Sequence, residues 1–202
     1  MRALFLVLLI LLIAGVAFIY SGMYNVGADK PHWTVTAQAL ATLRERSIAQ
    51  AATNIAVPSD LDSDARIREG AHHYAQMCAA CHLTPGMRST ELRQGLYPQP
   101  PDLAKLGTDR PAEAFWVIKH GVKLTAMPAW GVSHNDDAIW DMVAFIRKLP
   151  ELDENAFVSL AGTHGDDGHG GGHHHDDGHD DHDEHDGHMD MPATPASASS
   201  TH

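Results

Sequence analysis

The two cysteines of the chain, Cys78 and Cys81, stand three positions apart in the segment CAACH, with His82 directly behind them. A pair this close confines whatever it closes or binds to one turn of backbone, so the surrounding domain has to be built around that turn. Several chemistries use such a pair. The compartment and the neighbouring residues decide among them.

Residues 3–20 carry no charge and are almost wholly apolar, a run at the lower edge of what crosses a bilayer as a helix. It has no amphipathic face, which argues against a core helix of a globular domain. Ala14, Gly15 and Ala17 are small residues of the kind an export peptidase accepts, so a cleaved signal peptide competes with a retained anchor. The anchor is the expectation, because the apolar run continues past these positions and Tyr20 and Tyr24 fall where interfacial aromatics belong. Arg2 and the amino group hold the start of the chain in the cytoplasm, with Lys30 as a weak opposing charge. The expected arrangement is a single pass of a bacterial cytoplasmic membrane, with everything after Tyr24 on the periplasmic side. Reduced thiols are hard to keep there. The cysteine pair is therefore oxidised, metallated or covalently capped.

The sequence divides into an anchor or signal peptide (residues 1–24), a stem (residues 25–60), a domain (residues 61–152) and a disordered tail (residues 153–202). The formal charge of -12 belongs mostly to the tail, where residues 163–191 hold ten acidic side chains, nine histidines and no lysine or arginine. No basic patch interleaved with aromatics exists, which excludes nucleic acid as an expected partner. In the stem, Thr34 or Thr36 is a candidate cap for a helix over residues 37–52, with a modest stripe of Leu40, Leu43 and Ile48 that either packs on the domain or faces solvent. Asp62 or Ser63 starts a helix that runs into Cys78 and sets Ile67, Gly70 and Tyr74 on one face. Asp109 caps a further helix, with Pro111 in its first turn and Gly121 as its stop. Asn135 caps the last one, whose inner side is Ile139, Trp140, Val143 and Ile146. No strand pattern of convincing length is present, so the fold class is all-α.

A reactive dithiol sits at the start of a helix behind a strand, where the helix dipole lowers a thiol pKa. Here the pair comes at the end of a helix. A structural zinc site needs four ligands, and His120 and His134 lack the required spacing. C-x-x-C-H is also the signature of covalent haem attachment, and this is the reading the residues favour: one haem c on Cys78 and Cys81, with His82 as proximal iron ligand. A low-spin haem takes a second axial ligand, often a thioether. Met77 and Met87 lie too near the attachment segment, and Met142 reads as a core residue of the last helix. Met127, in an irregular loop locked by Pro128, is the expected distal ligand. With His82 and Met127 both on the iron, no position is left for a small-molecule substrate. The expectation is an electron carrier working between a donor and an acceptor protein, and not an enzyme. Trp130 either shields the haem or is an ordinary core aromatic, and His72 and His73 read as surface residues.

CAACH behind an amphipathic helix, PPDL downstream, AMPAWG and a last helix ending AFIRKLP together resemble the class I c-type cytochromes, above all the single-haem domains of bacterial oxidases and membrane dehydrogenases. The resemblance covers about residues 61–150 and implies a helical domain around one covalent haem. It implies that the carbonyl of Pro101, in the segment Pro101, Asp102, Leu103, accepts the Nδ1 hydrogen of His82. It also implies a close crossing of Gly70 and Tyr74 with Trp140 and Val143. Residues 83–99 depart from the pattern.

The tail has too few apolar residues to fold alone. It is either a solvated spacer or a capture site for copper or zinc through His173, His174, His175, His179, His182, His185 and His188, since imidazole and carboxylate suit such ions. Capture would make the protein a metal-buffering or metal-delivery factor with the haem as its redox partner.

Overall fold

The computed structural model of the chain describes residues 1–162, and among these no strand occurs. Helix α1 (Arg2–Tyr20) has a mean hydropathy of 3.0 over its most apolar window and buries none of its residues in the protein. By length and composition it can cross a membrane. Beyond it Tyr24, His32 and Trp33 cluster: the Tyr24 hydroxyl lies 2.7 Å from Nδ1 of His32, and Trp33 meets Tyr24 edge-on at 4.9 Å between centroids.

Helix α2 (Thr34–Ala52) starts directly behind Trp33 with no side-chain cap. Thr34 and Thr36 therefore lie inside the helix and do not cap it; the packing of Trp33 on Tyr24 and Phe18 fixes the extended residue from which the helix departs. The stem packs on the domain. Its inward stripe is Leu40, Arg44, Ile48 and Ala52, whereas Leu43, expected on that face, is 66% exposed.

Helix α3 (Asp64–Met77) is capped by Ser63, whose hydroxyl accepts the N–H of Arg66 at 3.4 Å. It runs into the short α4 (Ala79–His82), and the following loop carries two single turns, α5 (Glu91–Gln94) and α6 (Leu103–Leu106). Helix α7 (Pro111–His120) follows Arg110 and has no side-chain cap. Asp109 stands one residue too early to reach the free N–H groups and sits 3.8 Å from the Arg110 guanidinium. Gly121 ends α7 as expected, at a φ of 65°. Helix α8 (Asp136–Lys148) is capped by Asn135, which accepts the N–H of Ala138 at 2.9 Å.

The core forms where α3 crosses α8. Tyr74, Ile139, Met142, Val143, Phe145 and Leu149 are its fully buried members, and Met142 is thus a core methionine. Gly70 makes the crossing close, since a β-carbon there would run into the carbonyl of Asp141 and lie 2.8 Å from the β-carbon of Phe145. At Gly70 the tightest approach is to Asp141 and Phe145; Trp140 and Val143 belong to the same core as Tyr74, and Trp140 stacks on Phe115 at 4.2 Å. Outside the crossing, Arg66 ties α3 to α8 through Asp141 at 2.7 Å.

The chain stays helical where the tail was expected to begin. Helix α9 (Glu154–Gly162) lays Phe157 against Tyr74 and Phe145, at 6.4 and 6.0 Å between ring centroids. The segment AFVSLAG holds enough apolar surface to bury on α3, and the acidic, histidine-rich composition starts only after it.

Candidate functional site

Tyr74 and Leu83 bracket the CAACH segment. The Tyr74 side chain, fully buried, donates its hydroxyl to the carbonyl of Leu83 at 2.6 Å, and burial pushes its pKa well above the usual phenol value. Leu83 leaves α4 at a φ of 67°, a conformation that costs a side-chain-bearing residue about 1–3 kcal/mol. Its own burial and the Tyr74 hydrogen bond hold it there. Cys78 lies at the junction of α3 and α4, so the pair spans the end of one helix and a single following turn. Burial, and then the neighbouring Cys81, push the Cys78 thiol up to about 12, the opposite of a reactive dithiol.

His82, at the end of α4, is half-buried, and its Nδ1 lies 3.0 Å from the carbonyl of Pro101. A carbonyl only accepts, so Nδ1 carries the hydrogen and Nε2 keeps its lone pair. Burial lowers the pKa of this imidazole; the Pro101 bond works against the shift and Arg93 adds to it. The ring is thereby kept neutral, the form in which histidine ligates metal.

Met127 comes from the loop between α7 and α8. Its N–H donates to the Thr125 hydroxyl at 3.1 Å and its carbonyl accepts from Val122 at 3.2 Å. The loop returns close over the end of α7, where a β-carbon on Gly121 would lie 2.7 Å from the Met127 carbonyl. Only glycine combines that approach with its positive φ.

These pieces meet in one cavity of about 570 Å³, lined by Cys78, Cys81, His82 and Met127 together with apolar residues such as Val117 and Ile118. That volume falls in the range of cofactor pockets, roughly 300–1,000 Å³. Two thiols, a neutral imidazole with a free nitrogen and a thioether in a largely apolar chamber fit a covalently held haem. Trp130 lines the same cavity, and so do Leu96, Pro98 and Gln99 from the stretch that departs from the family pattern.

The family Cytochrome C oxidase, cbb3-type, subunit III matches residues 65–146. That segment is a class I c-type cytochrome domain. Such a domain implies covalently bound haem c and redox partners. The cytochrome match leaves α1, α2 and α9 outside it. No curated protein and no solved structure matches the chain.

Sequence reading did not place Met77, Arg44 or Ile48 on the cavity wall. Met77 lines it beside Cys78, and Arg44 and Ile48 reach it from the stem. The spacing of Leu40, Arg44 and Ile48 by four was the available signal, hidden by the preference for an all-apolar stripe. His72 and His73 are half-buried and not free surface residues. Among the described residues no group of three or more His, Cys, Asp or Glu side chains is arranged to hold a metal ion. The seven candidate histidines of the tail, with the copper or zinc capture expected of them, lie outside the described residues.

The ring of His73 packs against that of His134 at 5.5 Å between centroids, and His134 lies against Trp130 at 5.8 Å. Burial lowers the His73 pKa from its ordinary 6.5, His134 and His72 lower it further, and Asp141 and Glu69 oppose the shift. The unfolded chain therefore binds a proton more readily than the folded one. The His73 contribution to stability is present above pH 6.5 and is lost as pH falls through that value towards the folded pKa. A His73→Gln variant should show a flatter acid limb when Tm is measured from about pH 7.5 down to about pH 5. An unchanged limb would mean that His73 does not drive the acid sensitivity.

Proposed function

We propose that the protein is a membrane-anchored mono-haem cytochrome that passes single electrons between redox proteins at the outer face of the cytoplasmic membrane. The observation that carries this reading is that His82 and Met127, from separate parts of the chain, line one cavity with Cys78 and Cys81. Haem c supplies a one-electron couple when bound there. Cys78 and Cys81 fix it covalently, and the Pro101 carbonyl orients His82 and raises its basicity as a ligand. Met127 contributes a soft donor, which together with the apolar wall favours the reduced state and a positive potential. Two protein ligands leave no open position for a substrate.

Helix α1 supports confinement to a membrane, and Arg2 at its start supports the periplasmic placement of the domain. Contacts with donor and acceptor would be brief and small in area, as in other redox encounters. The match to an oxidase subunit favours an oxidase as the acceptor class.

The test is expression of the full chain with cytochrome maturation machinery, followed by spectra of the denatured protein. Wild type should retain covalent haem, and the double variant Cys78→Ser with Cys81→Ser should retain none. Covalent haem in the double variant would sink the attachment assignment. Tight binding of carbon monoxide to the reduced wild type at neutral pH would move the reading from carrier to sensor or enzyme.

A further inference from the structure

Helix α2 lies outside the cytochrome match, yet Arg44, Glu45 and Ile48 form part of the cavity wall. The stem is held at both ends. Just ahead of α2 the N–H of His32 donates to the Tyr97 hydroxyl at 3.0 Å, and at the far end of the helix Ala52 is buried while Ile55, beyond it, packs on the core. Between these ties Leu40, Arg44, Ile48 and Ala52 recur every fourth residue and share the inward face.

An arginine in the middle of such a stripe needs a partner, because guanidinium groups are seldom withdrawn from water unpaired. Arg44 is half-buried and makes no hydrogen bond or ion pair among the described residues. The other arginine of the cavity wall, Arg110, is held by Glu113 at 3.0 Å. Glu45, adjacent in sequence, also reaches the cavity but stays exposed. Among the described residues, one uncompensated cation therefore faces a chamber suited to a dianionic cofactor.

We propose that Arg44 binds a carboxylate of the haem, so that the stem helix completes the cofactor site. The proposal rests on the haem reading above. Porphyrin side chains of haem end in two carboxylates, and a guanidinium pairs with such a group through two parallel hydrogen bonds. A cation in that place keeps the carboxylate ionised and opposes the added positive charge of oxidised iron. Arg44 is thus a binding residue that raises the potential, supplied by the segment joining the membrane to the domain.

The experiment uses the full-length holoprotein in detergent, with midpoint potentials measured across pH for wild type, Arg44→Gln and Arg44→Lys. Arg44→Gln should lower the potential by a shift equivalent to about three- to tenfold in the reduction equilibrium. It should also move the pH dependence of the potential, which reports carboxylate ionisation, to higher pH. Arg44→Lys, which keeps the charge, should recover most of both changes. Covalent haem with the same potential and pH profile in Arg44→Gln overturns the pairing alone, as does a shift that lysine fails to recover. Absence of covalent haem from the wild type overturns the underlying reading and the pairing with it.

Discussion

Replacing Gly70 by alanine is expected to lower Tm by roughly 10–20 °C, although alanine is the better helix former. At an unconstrained helical site the exchange would gain about 1 kcal/mol. Here the new β-carbon would be driven into the Asp141 carbonyl and within 2.8 Å of the Phe145 β-carbon. The first obstacle is backbone, so it cannot rotate away, and relief requires α3 and α8 to move apart. Overpacking of this kind costs about 3 kcal/mol or more when the obstacle is rigid. The net loss is then about 2–3 kcal/mol, and each kcal/mol moves Tm by about 4–8 °C in a domain of this size. Thermal unfolding of the full chain in detergent, followed by circular dichroism, reads the effect. Gly95 is the control, because a β-carbon there would meet only the Leu92 carbonyl at an ordinary 3.7 Å, and Gly95→Ala should change Tm little. A Gly70→Ala protein as stable as wild type would show that the crossing is not as tight as its geometry implies.

The helices were most legible where a local signal matched the packing partner. Ser63 and Asn135 cap α3 and α8 because each can reach a free N–H three residues on, and the apolar faces behind them have the helical period. Local rules failed where tertiary contacts set the boundary. Trp33, seated on Tyr24 and Phe18, starts α2 ahead of both threonines, and Phe157 draws nine residues of the supposed tail onto α3. Within the site, the Pro101 carbonyl meets Nδ1 of His82 as the family resemblance implied. The Arg44 position carried a signal in its spacing of four from Leu40 and Ile48, but an arginine in a helix stripe reads as outward-facing until the cavity shows that it turns inward.

Met127→Ala is expected to abolish the weak long-wavelength sulfur-to-iron charge-transfer band of the oxidised protein, open the reduced protein to carbon monoxide and lower the midpoint potential. The fall should be on the order of 0.1 V or more, a fraction of the roughly 0.8 V over which axial ligands tune haem. The fold should tolerate the change. The loop is positioned by backbone groups, through Thr125 and Val122, and the Met127 side chain is only half-buried. A structural explanation would predict loss of stability along with the band, whereas loss of a ligand predicts a changed spectrum at nearly unchanged Tm. Gly121→Ala offers an independent approach to the same point, because its β-carbon would displace the Met127 carbonyl, only 2.7 Å away, without altering the thioether. Both variants should then lose the band, one by removing the sulfur and the other by moving it. A band that survives Met127→Ala would overturn the assignment of Met127 as the distal ligand.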